Sequence, residues 1–140
     1  MSQSGERVFD GKRLRLTHFN GGNSRAILTF DFLRKDREGF GEISPSNSLR
    51  RWGWDQISLR SARNDWFING ETEAMEDALA TACARFETVA AIGFSMGGYG
   101  ALRFAKSAGA SRVIAISPQV SIHPRVVPWE KRYHRNAAEF

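Results

Sequence analysis

The sequence predicts an α/β protein, a three-layer sandwich built on a mostly parallel sheet, and three observations carry that expectation. Apolar runs of strand length alternate with amphipathic stretches of helix length. One apolar run passes directly into a helical stretch through a glycine-rich turn at residues 93–100. The composition, 41% hydrophobic and 25% charged, is that of a folded globular chain rather than of a disordered tail or a fibre. At 140 residues the chain is one domain's worth.

The elements follow in order. Val8 and Phe9, then Leu14, Leu16 and His18, alternate around Asp10-Gly11, a dipeptide suited to the positive backbone angles of a tight turn, so an antiparallel hairpin should open the chain. Residues 26–30 form a short apolar run that reads as a central strand buried on both faces. Residues 33–47 are charged and rich in Gly, Ser and Pro, which reads as a long surface loop. Ile57 and Leu59 stand at strand period within residues 55–60. Met75, Ala78, Leu79, Ala82 and Phe86 fall on one helical stripe over residues 71–86, with Glu71, Glu73, Glu76 and Asp77 near its positive end. A strand at 89–92, a helix at 97–108 closed by Gly109 and a strand at 113–116 complete the alternation, which implies a mainly parallel sheet covered on both faces. Residues 118–140 read as an irregular tail of the same single domain.

Several function classes are set aside on composition. No apolar run is long enough to cross a bilayer, and the polar first fifteen residues lack a signal-peptide core, so a soluble cytoplasmic protein with no membrane partner is expected. The lone Cys83 sits at helical core spacing and should be a buried, inert thiol. The net charge of +5 comes from basic residues spread between Arg7 and Arg135, which argues against a nucleic-acid partner. Arg50 and Arg51 beside Trp52 and Trp54 form the one basic-aromatic cluster, read as a solvated loop with buried indoles rather than a base-stacking surface. Arg34, Lys35 and Arg37 likewise read as a solvated charged loop, and Asn64-Asp65-Trp66 as a helix-leading turn anchored by its indole.

The chemistry-bearing motif is Gly93-Phe94-Ser95-Met96-Gly97, followed by Gly98 and Gly100. A strand-to-helix turn this sharp lifts a serine side chain above the sheet. Side chains at Gly93 and Gly97 would crowd the turn, and Gly98 and Gly100 let the helix approach its neighbours. The other reading is a glycine-rich turn with a structural serine.

With this elbow and this order of elements, the chain resembles the α/β-hydrolase superfamily, in particular its esterase and thioesterase-like members, over the N-terminal portion of their domain. The resemblance implies Ser95 as nucleophile and the backbone N–H of Met96 as one oxyanion donor. It implies a second donor from the loop after the central strand, where Phe32 or Leu33 stands, although Asp31-Phe32-Leu33-Arg34-Lys35 departs from the glycine-rich turn many members have. It implies the order serine, acid, histidine, which Glu130 and His134 satisfy formally while lacking the later strands that usually carry them. The function expected on that basis is hydrolysis of, or acyl transfer from, a small-molecule ester or thioester through an acyl-serine intermediate, with no cofactor and no metal. The alternative is a non-catalytic hydrolase-like module that binds a protein or polyanionic partner. The domain reads as incomplete, its last strand left as an exposed edge through which a homodimer could form.

Overall fold

A computed structural model describes residues 5–137. Its elements are β1 (Glu6–Asp10), β2 (Leu14–Phe19), β3 (Arg25–Phe30), α1 (Asn47–Arg51), β4 (Asp55–Ser61), α2 (Thr72–Cys83), β5 (Thr88–Phe94), α3 (Met96–Ala108), β6 (Arg112–Ile116) and α4 (His134–Ala137). The strands form one sheet in the order β1-β2-β4-β3-β5-β6, with β3 central as the sequence predicts. Strands β4, β3, β5 and β6 run parallel, while β1 and β2 are antiparallel to their neighbours. The carboxyl ends of four parallel strands therefore converge on one edge, where an open α/β sheet binds its ligands.

Period-two alternation sends Leu14, Leu16, Leu28, Ile57, Leu59 and Ala91 to one face, where they meet Met75 and Leu79 of α2 and Phe104 of α3 in a single core. Helix α3 ends at Gly109, whose left-handed φ of 67° closes the helix as its position predicts. Cys83 is buried, and burial pushes its thiol up to about 11.

The two faces are filled unequally. Both long helices join the same core, while the opposite face carries the 38–46 loop over β2 and β4 and leaves Phe94, Ile114 and Ile116 at 50%, 53% and 42% exposure. Strand β3 is accordingly buried on one face and half-buried on the other, not buried on both. Helix α1 forms where a loop is expected, capped by Ser46, whose Oγ accepts from the Leu49 N–H. Trp52 at its end is 66% exposed, so the indoles of the basic-aromatic cluster are not both buried.

The opening hairpin exists, but its turn works differently from the Asp-Gly expectation. Gly11 does not take a positive φ. The turn is held instead by the Glu71 carboxylate, which accepts from the N–H groups of Lys12 (2.8 Å), Arg13 (3.0 Å) and Leu14 (2.8 Å). A Cβ on Gly11 would lie 2.1 Å from Glu71 Oε2, so glycine is needed there to admit the carboxylate. Burial opposes the charged form of Glu71, and the Leu14, Arg13 and Lys12 N–H donors outweigh it and hold the carboxyl below its usual value. A depressed carboxyl contributes stability that is present above its unfolded value and lost as pH falls through its folded one. Glu71→Gln is expected to cost about 1–3 kcal/mol near pH 7, because the turn loses charge-assisted bonds. The penalty should shrink below about pH 4, as the wild-type carboxyl itself protonates. Urea unfolding of both proteins across that range checks the sign.

Candidate active site

Strand β5 hands the chain to α3 at Ser95, and the junction has the geometry of a strained elbow. Ser95 has φ 53° and ψ −120°, outside the regions ordinary residues occupy. Its N–H donates to the Ile116 carbonyl at 2.9 Å, tying the turn to the end of β6. Its own carbonyl accepts from the N–H groups of Gly98 (2.9 Å) and Tyr99 (3.2 Å), which starts the helix.

The glycines around it are sterically required. A Cβ on Gly93 would lie 2.0 Å from the Gly97 carbonyl oxygen, and one on Gly97 would lie 2.6 Å from that of Asp31. Both obstacles are main chain and cannot swing aside. At Gly98 and Gly100 the nearest atoms are Pro118 Cβ at 3.0 Å and the Phe67 ring at 2.7 Å. Helix α3 thus seats its first turn against the end of β3, the start of the tail and the core.

A serine preceding a helix ordinarily accepts from the helix's first N–H groups. Ser95 makes no such bond. Its half-buried hydroxyl instead meets Gln119 Oε1 at 3.4 Å, the side-chain partner it has among the described residues. Met96 keeps its side chain fully buried. Its N–H is at the first helical position, where an amide has no acceptor within the helix and is free to bind a developing anion.

The loop after β3 lies beside this turn, as the closeness of Gly97 to the Asp31 carbonyl requires. Arg34 and Lys35 are exposed there, as a solvated charged loop requires, but the Arg37 side chain is buried. Asp31 is 7% exposed, and its carboxylate pairs with Arg37 at 3.1 Å and Arg60 at 3.0 Å and accepts from the Ser61 N–H. Arg37 also donates to the carbonyls of Phe32 (2.6 Å) and Ser61 and to Asn64 Oδ1. Burial lowers the Arg37 pKa, and the facing Asp31 charge works against that shift. Because the peptide is planar and trans, fixing the Phe32 carbonyl also fixes the Leu33 N–H on its opposite side. Phe32 itself is exposed, and Leu33 packs against the core.

The segment after β4 holds a second buried polar knot, which no sequence pattern marks. Asp65, 1% exposed, accepts from Ser61 Oγ, the Phe67 N–H, Asn69 Nδ2 and Arg13 Nη2. The next two residues, Trp66 and Phe67, are both buried and both have left-handed φ, 52° and 59°. Each such residue costs on the order of 1 kcal/mol or more, and the Asp65 knot is what holds them.

The tail returns across this edge. Ile122 is buried, Tyr133 packs at a tilt of 59° against Trp66 with ring centres 4.9 Å apart, and Asn136 Nδ2 donates to the Asn64 carbonyl. Gln119 and Glu130 help to line an open cavity of ≈ 440 Å³ beside the elbow. Glu130 accepts from the Arg132 N–H and Nε. The side chain of His134 lies outside the described residues. His123 lines a neighbouring apolar cavity of ≈ 260 Å³ with Trp66, Ile68, Tyr99 and Ile122. His18 is buried with Asp55 at 2.9 Å, at the amino end of the parallel strands and thus away from the elbow.

Among the described residues no group of three or more His, Cys, Asp or Glu side chains is arranged to hold a metal, and no helix is long and apolar enough to cross a membrane.

No protein-family model matches the chain, and no curated protein matches it by sequence. Solved structures do. Acetyl xylan esterase 1 from Thermoanaerobacterium matches with a TM-score of 0.61 at 13% identity, over 90% of this chain and 50% of that one. The capsule O-acetyltransferase of Neisseria meningitidis serogroup A matches with a TM-score of 0.51 at 17% identity, over 94% of this chain and 61% of that one. The likenesses show an α/β-hydrolase fold, and the chain spans about half the length of the structures it matches.

Proposed function

We propose that this α/β-hydrolase fold presents Ser95 as the nucleophile of an ester- or thioester-cleaving reaction, either hydrolysis or acyl transfer, through an acyl-serine intermediate. The observation that carries the reading is that Ser95 sits at φ 53° yet does not cap the helix it precedes. Backbone strain of this kind persists where the surrounding structure imposes it, and it clusters at reactive residues. An esterase and an acetyltransferase among the similar structures support the same class of chemistry.

The hydroxyl attacks the acyl carbon, a base takes its proton, and the carbonyl oxygen becomes an oxyanion. The Met96 N–H, at the positive end of α3, is the first donor to that oxygen. The Leu33 N–H is the second, oriented through the grip of Arg37 on the Phe32 carbonyl. The carbonyl carbon then expels its alcohol or thiol, and water or a second alcohol releases the acyl group. His134 is the proposed base and Glu130 the proposed acid that orients it, on their order in the chain after Ser95.

The test is turnover of short acyl esters and thioesters by the purified protein. Activity lost in Ser95→Ala, and a pH profile lost in His134→Ala, support the reading. Undiminished turnover in Ser95→Ala overturns it and leaves the binding module, for which the exposed apolar surface of Phe94, Ile114 and Ile116 speaks.

A further inference from the structure

On the sheet face opposite α2 and α3, a cavity of ≈ 250 Å³ is lined by Arg7, Arg15, Arg60 and Thr17, with Phe19 and Ile43 supplying apolar wall. Its charges do not balance. Arg7 and Arg15 share one carboxylate, Asp10, at 3.2 and 2.8 Å. Arg60 and Arg37 share another, Asp31, at 3.0 and 3.1 Å. Three guanidiniums line the cavity and Arg37 stands behind them on Asp31, so four cations meet three carboxylates, Asp10, Asp31 and the exposed Glu42 of the lining.

The imbalance is sharpest at Arg60, which is 3% exposed. Its Nε lies 3.0 Å from Asp31 Oδ1, its Nη1 donates to the Glu42 carbonyl at 3.2 Å, and among the described residues neither Nε nor Nη2 makes a hydrogen bond. A buried charged donor left without a partner costs free energy that native structures rarely leave unrecovered. The Arg15 guanidinium carbon lies 4.1 Å from the centre of the Phe40 ring, a cation–π contact that holds it beside the cavity.

We propose that this cavity binds a small organic anion with a doubly charged oxyanion head, of the phosphate monoester or dicarboxylate type. Arg60 meets the head from the floor, Arg7 and Arg15 meet it from the wall, and Thr17 contributes its hydroxyl. The body of the ligand lies against Phe19 and Ile43. Nothing in the proposal depends on Ser95 being a nucleophile.

The experiment is calorimetric titration of the full chain at low ionic strength with inorganic phosphate, phenyl phosphate and succinate. Variants are Arg60→Gln, Arg15→Gln and a control, Arg103→Gln, whose partner Glu76 lies on α2. Saturable binding is expected, tighter for phenyl phosphate than for inorganic phosphate, and weakened about tenfold or more in Arg15→Gln but not in the control. If Arg60→Gln does not fold, Arg15→Gln alone decides. Succinate binding with no phosphate binding would assign the head as a dicarboxylate and support the site. Absence of saturable binding to all three, or equal weakening in Arg15→Gln and Arg103→Gln, overturns it. Ser95→Ala should bind as the wild type does, whatever becomes of the proposed reaction.

Discussion

Ser95→Gly should give a protein that is more stable than the wild type and chemically inert. The expected loss of acyl turnover is on the order of 10³-fold or more, because the attacking oxygen is gone and water alone must replace it. The stability gain follows from the backbone: at φ 53° and ψ −120° a Cβ is strained, and glycine adopts such angles without that cost. Removing the strain should contribute about 1 kcal/mol, measurable as a shift of the urea midpoint with unchanged slope. No folding bond is forfeited, since the hydroxyl caps nothing and its contact with Gln119 is 3.4 Å long. A serine retained for structure would behave oppositely: its replacement would lower stability.

Gly93→Ala is expected to have the largest effect on the fold, about 3–5 kcal/mol of lost stability. The added methyl would stand 2.0 Å from the carbonyl oxygen and 2.3 Å from the carbonyl carbon of Gly97, both main-chain atoms of the first turn of α3. Relief requires moving the helix off β5, and the helix is also pinned at Gly97 against the Asp31 carbonyl. Gly22 supplies the contrast. Nothing lies within 4 Å of its Cβ position, so Gly22→Ala pays only for its φ of 72°, about 1 kcal/mol. Urea unfolding of the two variants should therefore separate them clearly. Equal small losses would mean that no tight elbow exists.

What was legible in the sequence was what local pattern encodes. Apolar runs and periodicity placed β3 to β6, α2 and α3, because a strand or helix that buries one face must repeat its apolar residues at its own period. The elbow was legible because the Gly-x-Ser-x-Gly pattern falls between an apolar strand and an amphipathic helix. The polar interior was not. Glu71 reads as a charge suited to a helix start, yet it holds a turn 57 to 59 residues away. Asp31 and Arg37 read as loop charges, yet both are buried in one ion-paired knot with Arg60. Such contacts join residues distant in sequence, and no periodicity marks them. Trp66 and Phe67 were beyond reach for a different reason: neither residue type favours a left-handed backbone, so only the surrounding packing reveals it. Helix α1 did carry a usable signal, in Pro45-Ser46 before a helical stretch, obscured by the polar composition of its neighbours.

The most direct measurement of the central claim is covalent labelling. The purified protein is treated with a fluorophosphonate probe, and intact-mass and peptide mass spectrometry locate the adduct. A serine whose proton is removed and whose oxyanion is stabilised attacks the phosphorus, forms the Ser–O–P bond and releases fluoride. The account predicts a single adduct on Ser95, absent in Ser95→Ala and Ser95→Gly. A folded protein that takes up no probe, or takes it up equally at other serines, would contradict it.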